Sequence, residues 1–223
     1  MKQKDKDFIG RRSLITNLGI AAAATGIAVS ATTSSAQVQQ QQNSFEPDRH
    51  GLDSWLGELK GSHRVFVDSS TSPGGANALR YASNIITAHE EDYEGSSSDY
   101  AMVICFRHAS VSYAFTDAIW AKYGALLNPS ADPAPTSNPM NVGTGSNGQN
   151  PISSLVARGA HFAICARATR STARRLASRT NTPVEQIQEE LFASAIPNGH
   201  FVPAGVMAAT RAQEYGYSLL YSA

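Results

Sequence analysis

One seven-residue run, Tyr100–Phe106, limits what this chain can fold into more than any other stretch, because none of its side chains is charged. Strands that are buried on both faces of a parallel sheet have continuous apolar sequences of this kind. Four other short stretches also have strand character, and segments with helical periodicity separate them. Such alternation predicts an α/β fold with a mostly parallel five-stranded sheet between helices. The predicted strands cover residues 64–68, 100–106, 160–164, 199–202 and 217–221, and the predicted helices cover residues 76–91, 115–123, 151–158, 168–176, 183–192 and 206–215.

Residues 1–36 have the composition of a leader rather than of a folded domain. A basic front precedes the Ala-rich segment 14–29, which is too short and too weakly apolar to span a membrane, and small residues around Ala36 suit a signal peptidase. The pair Arg11-Arg12 resembles the twin-arginine export signal, and the alternative is an accidental pair in an ordinary signal peptide. The leader predicts a periplasmic or otherwise exported protein.

Removing the leader makes the chain mildly acidic. The whole sequence has 18 Lys and Arg against 18 Asp and Glu, and the part after residue 36 keeps 13 against 16, a balance of about −3. This charge gives no indication of a nucleic-acid partner. Residues 37–60 are predicted as a disordered, Gln-rich tether with a short amphipathic lead-in, and residues 61–223 as a single domain.

Cys165 is the first candidate for chemistry, because it falls where a short apolar strand passes into a helix. Ligands bind at the carboxyl edge of open α/β sheets, and a helix N-terminus with nearby cations favours the reactive thiolate. Arg167 and Arg170 lie in the first turn of that helix, and Arg107 with His108 follows a second strand. These four side chains are predicted to support the thiol electrostatically.

Each candidate also has a purely structural alternative. Cys165 can be a buried core cysteine, the arginines can form a solvated basic face, and His108 and His200, predicted to line one cleft, can be hydrogen-bonded structural histidines. No local spacing supports a metal site from Cys165 and these histidines, so neither a metal nor a cofactor is predicted. A disulfide between Cys105 and Cys165 stays open, and it requires Cα atoms within about 7 Å.

The sequence also predicts two loops, over residues 69–75 and 125–150. Residues 69–75 contain Gly74-Gly75 but neither a dinucleotide nor a P-loop motif, which favours a turn over a phosphate site. Residues 125–150, after Gly124 as a predicted helix cap, are rich in Pro, Asn, Ser and Gly, and loops of this length are usually functional or disordered.

The strand that ends at Cys165, together with several other motifs, resembles the DsrE/DsrF-like sulfur-relay family, and most closely its small single-domain members. The likeness covers residues 64–221. The matching motifs are Leu155-x-x-x-Gly159 before the Cys165 strand, Val202-Pro-Ala-Gly-Val206, Gln213-x-x-Gly216-Tyr217, Arg107-His108 and Trp120-Ala-Lys-Tyr123.

The resemblance implies a three-layer α/β/α fold and assembly into homotrimers or larger rings. In sulfur-relay members a cysteine at the position of Cys165 carries sulfane sulfur as a persulfide. We therefore expect an exported sulfur carrier or weak sulfurtransferase that hands sulfur to a thiol-bearing acceptor. The second hypothesis is a non-catalytic oligomeric protein that binds a small anion or a partner in the same cleft and uses Cys165 structurally.

Overall fold

The computed structural model describes residues 46–141 and 151–223. The strands are β1 (His63–Ser69), β2 (Tyr100–Phe106), β3 (His161–Cys165), β4 (Gly199–Val202) and β5 (Ser218–Ser222). The helices are α1 (Trp55–Glu58), α2 (Ser72–Asp92), α3 (Asp117–Leu127), α4 (Pro151–Ala157), α5 (Ala166–Thr180), α6 (Val184–Ala193) and α7 (Gly205–Glu214). The strands form one sheet in the order β4-β3-β2-β1-β5, and all neighbours are parallel. The predicted α/β fold is confirmed.

The strand order decides on which face of the sheet each helix lies. From β1 to β4 the chain moves across the sheet in one direction, and it then returns to add β5 on the other side of β1. Because crossovers between parallel strands are right-handed, this reversal carries the last connection, α7, to the opposite face. Helices α2 to α6 cover one face, whereas α7 and α1 cover the other, which gives the three layers.

The two faces have apolar cores of unequal size. In the larger core the rings of Phe106 and Phe162 stack at 5.7 Å, and the buried Trp120 donates its indole N–H to a backbone carbonyl at 3.1 Å. The smaller core contains Phe66 and the alanines of α7 together with Leu56, which is fully buried. The predicted lead-in before residue 61 is therefore part of the packed domain.

Helix α2 begins four residues before the predicted start at residue 76. Thr71 is its N-cap and accepts the backbone N–H of Gly74 at 2.9 Å, while Pro73 fits the first turn, where a backbone donor is not needed. Gly74-Gly75 is consequently helical and not a turn. A Cβ on Gly75 would lie 2.9 Å from the Cβ of Ser110, so glycine allows the helix to pack closely there.

The segment after α3 is packed as far as the structure describes it. Helix α3 continues through Gly124, the predicted cap, to Leu127. Within residues 128–141, Asn138 is fully buried, and its Nδ2 donates to the carbonyls of Tyr113 and Phe115, both at 2.8 Å. These bonds anchor the segment beside the 3₁₀ turn His108–Ala114, which borders the site described below.

The predicted leader and residues 37–45, as well as residues 142–150, lie outside the described ranges. Within those ranges, none of the helices combines the length and apolar character that crossing a membrane requires. The predictions of a signal peptide and a tether stay predictions.

Candidate functional site

Cys165 lies at the carboxyl edge of the sheet and at the start of a helix. It is the last residue of β3 and the N-cap of α5, and its Sγ accepts the backbone N–H of Ala168 at 3.4 Å. The 15-residue helix directs the positive end of its dipole at this sulfur, which favours negative charge there. Only 7% of the residue is exposed, and it lines a cavity.

This cavity, which we call the edge cavity, has a volume of about 540 Å³. Its walls are the first turns of α5, the 3₁₀ turn His108–Ala114 and the start of α7. Its polar lining consists of Ser72, Arg107, His108, Ser112, Arg167, Ser171, Thr172 and Arg175. Among the described residues that line it, none carries a carboxylate. A volume of this size and a positive lining suit a small anionic ligand.

Arg107 does not direct a free charge at the thiol, because Asp68 binds it. The Nε of Arg107 donates to Asp68 Oδ1 at 2.9 Å and its Nη2 donates to Oδ2 at 2.8 Å, a bidentate geometry in which both side chains are nearly buried. The hydrogen bond to Asp68 raises the pKa of Arg107 further above its usual value. Asp68 thus offsets most of the positive charge that Arg107 presents to the cavity, and the ion pair holds the Arg107 side chain in the cavity wall.

His108 contacts the same guanidinium. Its Nδ1 lies 2.8 Å from Arg107 Nη1, and because a guanidinium can only donate, Nδ1 accepts and the neutral ring carries its proton on Nε2. The backbone of His108 has a φ of 50°, a left-handed conformation that few residues other than glycine adopt. The side chain is exposed in the cavity wall, where it offers an N–H donor to a ligand.

The second cysteine, Cys105, is a core residue. It is fully buried, and burial, together with the charge of Asp68, raises the pKa of its thiol well above the ordinary value. It pairs across the sheet with Ala163, which places Cys165 two residues further along β3 and about 8 Å away by strand geometry. Both cysteines are free, and the register explains why no disulfide joins them.

The arginines of α5 separate into two groups. Arg167 and Arg175 line the edge cavity, as the prediction requires of Arg167. Arg170 does not line it: together with Arg167 and Arg174 it borders a smaller pocket, and its guanidinium carbon is 5.3 Å from the ring centre of Phe192. Arg170 is thus outside the edge cavity and packs against α6, and its electrostatic support of the thiol stays a prediction.

His200 lies on the face of the sheet that α1 covers. In β4 it pairs with Ala163, two residues before the carboxyl edge. Its Nε2 is 2.9 Å from Nδ1 of His161, its ring stacks on Trp55 at 4.0 Å, and burial lowers the pKa of both histidines. His108 lines the edge cavity and His200 does not, because the register places His200 two residues before the carboxyl edge of the sheet. The two histidines therefore do not line one cleft, contrary to the prediction from the sequence.

Sequence reasoning did not select Asp68, Thr172, Arg175 or Gly205 as site residues. The sequence does contain an indication for Asp68. It is a charged residue at the end of one predicted strand, and Arg107 directly follows the next predicted strand. Gly205 matters to the site for a steric reason, because a Cβ at this position would lie 2.8 Å from the Cβ of Arg107. Glycine therefore lets the start of α7 close one end of the cavity.

The part of the chain that the structure describes contains no group of three or more His, Cys, Asp or Glu side chains arranged to hold a metal ion. What the described site offers is a thiol, cationic side chains and hydroxyl groups. This set can bind an anion and perform nucleophilic sulfur chemistry.

Comparisons with known proteins add no identity to this geometry. No family model matches the chain, and no curated protein matches it. The resemblance to DsrE/DsrF-like proteins therefore rests on the motifs themselves.

Proposed function

We propose that this protein handles sulfur, carrying or transferring sulfane sulfur as a persulfide on Cys165, as a member of the DsrE/DsrF-like family. One observation carries the proposal: the thiol is the N-cap of α5 and lies in the edge cavity, where Arg167 and His108 also lie. A structural cysteine needs neither a cavity nor cationic neighbours. A sulfur carrier needs both, because the donor must reach a thiolate.

The chemistry requires one nucleophilic step for loading and one for release. The Cys165 thiolate attacks the outer sulfur of a sulfane-sulfur donor, a new S–S bond forms as the donor bond breaks, and the donor's remaining part leaves with the electron pair. The reverse attack by an acceptor thiol on the persulfide regenerates Cys165. His108, through its Nε2 proton, can donate a hydrogen bond to the departing group.

Intact-mass measurement of the purified mature protein after exposure to thiosulfate or polysulfide tests this proposal. We expect an adduct of one sulfur atom on the wild type and on Cys105→Ala, and none on Cys165→Ala. The buried position of Cys105 makes its variant the matched control for loss of a thiol. If the wild type gains no sulfur from either donor, the proposal is wrong.

The second candidate is a non-catalytic protein that binds a small anion or a partner peptide, with a structural Cys165. The positive lining of the edge cavity favours it, since Arg167 and Arg175 meet no carboxylate among the described residues that line the cavity. Binding of sulfate by wild type and Cys165→Ala with equal affinity, without any sulfur adduct on the thiol, would select this candidate.

We also propose export and homo-oligomerisation, as trimers or larger rings. Export rests on Arg11-Arg12 in the predicted leader, and replacing both by lysine should leave precursor in the cytoplasm. Assembly rests on the family resemblance and is consistent with large apolar side chains exposed on α7 and the edge strand β5, such as Met207 and Tyr221. The molar mass in solution, measured by light scattering, tests it.

A further inference from the structure

The edge cavity is longer than an inorganic sulfur donor requires. It follows α5 from its N-cap, Cys165, through Ala168 and Thr172 to Arg175. Ten residues of α-helix separate the first and last of these, a rise of about 15 Å. The volume of about 540 Å³ is in the range of sites for organic ligands.

Cationic side chains lie at both ends of this length. Near the thiol, Arg107 is neutralised by Asp68, whereas Arg167 meets no carboxylate of the described cavity lining. At the far end, Arg175 donates from Nη1 to the backbone carbonyl of Leu126 at 3.3 Å, which orients the guanidinium while its other N–H groups stay available. The positive charge at the far end is thus uncompensated by any carboxylate of the described cavity lining.

A hydroxyl side chain also lines the cavity between Cys165 and Arg175. Thr172 is 6% exposed as a residue, and none of the described hydrogen bonds involves its hydroxyl. A hydroxyl in a cavity lining can donate to or accept from a polar group of a ligand. The apolar neighbours Leu127 and Val111 complete the middle of the cavity.

We propose that the sulfur donor or acceptor is a low-molecular-weight organic thiol persulfide of short-peptide size that carries a carboxylate, with the carboxylate bound by Arg175 and a polar group bound by Thr172. This inference rests on the proposed persulfide function of Cys165. A carboxylate suits a guanidinium through paired charge-assisted hydrogen bonds. The ligand's sulfur then lies at Cys165 and its acid group at the far end.

The loading step balances without any further reactant. The Cys165 thiolate attacks the terminal sulfur of R–S–SH, the donor S–S bond breaks, and the products are Cys165–S–SH and the thiolate R–S⁻. The terminal sulfur keeps its proton, the Cys165 sulfur is oxidised and the donor's inner sulfur is reduced. The released thiolate then takes a proton from solvent.

Rates of sulfur loading onto Cys165 test the inference, with glutathione persulfide as the carboxylate-bearing donor and inorganic polysulfide as the small donor. We expect Arg175→Gln to slow loading from glutathione persulfide about tenfold, since it removes a charge-assisted contact. Thr172→Val should raise the glutathione persulfide concentration needed for half-maximal rate. Neither variant should change loading from polysulfide.

The matched control is Arg174→Gln, which removes the same charge from the same helix but outside the edge cavity. It should load from both donors at the wild-type rate, and equal melting temperatures of the variants exclude misfolding. If Arg175→Gln and Arg174→Gln behave alike, or if Arg175→Gln slows both donors equally, the inference is wrong while the persulfide function stands. If the wild type loads sulfur from neither donor, both are wrong.

Discussion

Arg107 and Asp68 form the most buried ion pair among the described residues, with side chains 12% and 8% exposed. Replacing Asp68 by Asn leaves the guanidinium of Arg107 without its counter-charge in a poorly solvated position. We expect Asp68→Asn to lower the free energy of unfolding by about 3 kcal/mol, as removal of one partner of a buried pair does. Chemical denaturation measures the loss.

The pair Glu90–Arg158 provides the control for that prediction. Its two atoms approach to 2.7 Å, but Glu90 is 37% exposed, so water screens the pair, and Arg158 keeps its hydrogen bond to Thr87 Oγ1 at 3.0 Å after the substitution. Glu90→Gln should therefore cost less than about 1 kcal/mol. Equal losses in the two variants would contradict the assignment of Asp68 as the residue that fixes Arg107.

Cys165 and Asp68 show which site residues a sequence can predict. The position of Cys165 follows from local order, because a strand that passes directly into a helix places its last residue at the N-cap. The role of Asp68 depends on a partner 39 residues away, and only the parallel register of β1 and β2 brings the two side chains together. Adjacent strand ends were predicted, but not which side chains meet.

At the level of elements, the sequence pattern did not predict that α1 is part of the core. Leu56 is fully buried in the smaller core, and its carbonyl accepts from Tyr217 Oη at 2.8 Å and from Arg64 Nη1 at 3.0 Å. We expect Leu56→Ala to lower the free energy of unfolding by about 3 kcal/mol, because it removes buried apolar volume. Urea denaturation of the mature protein measures it.

Leu52 supplies the matched control within the same lead-in. Its side chain is 71% exposed, so Leu52→Ala should change stability by less than about 0.5 kcal/mol. A small effect of both substitutions would mean that α1 does not pack on the sheet in solution. A large effect of both would mean that Leu52 is covered in the assembled protein.

Strands were easier to predict than helix ends and helix rotation. Both β2 and β4 were predicted at their observed bounds. For β2 the reason is burial on both faces, which excludes polar residues; β4 is a partly buried edge strand that contains His200. The start of α2 was missed because Gly74-Gly75 favours a turn locally, whereas packing against Ser110 requires glycine within a helix. Similarly, five arginines on α5 were visible, but the rotation that directs Arg175 and not Arg170 into the cavity depends on tertiary packing.

For the molecule as a whole, topology explains both the cavity and its asymmetry. Four connections leave the carboxyl edge of one parallel sheet, so the edge gathers residues that are far apart in sequence, from Ser72 to Val206. The return of the chain to β5 places α7 alone beside α1, and the smaller core beneath them is correspondingly thin. The alternation of strands and helices predicted the sheet. No local sequence pattern predicts the strand order that produces this asymmetry.

The histidine pair in that thin layer makes the stability of the whole fold depend on pH. Burial lowers the pKa of His161 and His200 below the ordinary 6.5, so near that pH the unfolded chain binds more protons than the folded one. The stability that the two neutral histidines contribute should therefore be fully present above about pH 7.5 and be lost as the pH drops through 6.5 towards the folded pKa values. The negative charge of Glu58 partly opposes the lowering of the His200 pKa. Urea midpoints measured from about pH 8 to about pH 5 test this. His200→Gln should reduce the change of the urea midpoint with pH, whereas His50→Gln, at an exposed position, should leave that change as in the wild type. A wild-type midpoint that does not fall as the pH is lowered would contradict the burial of His161 and His200.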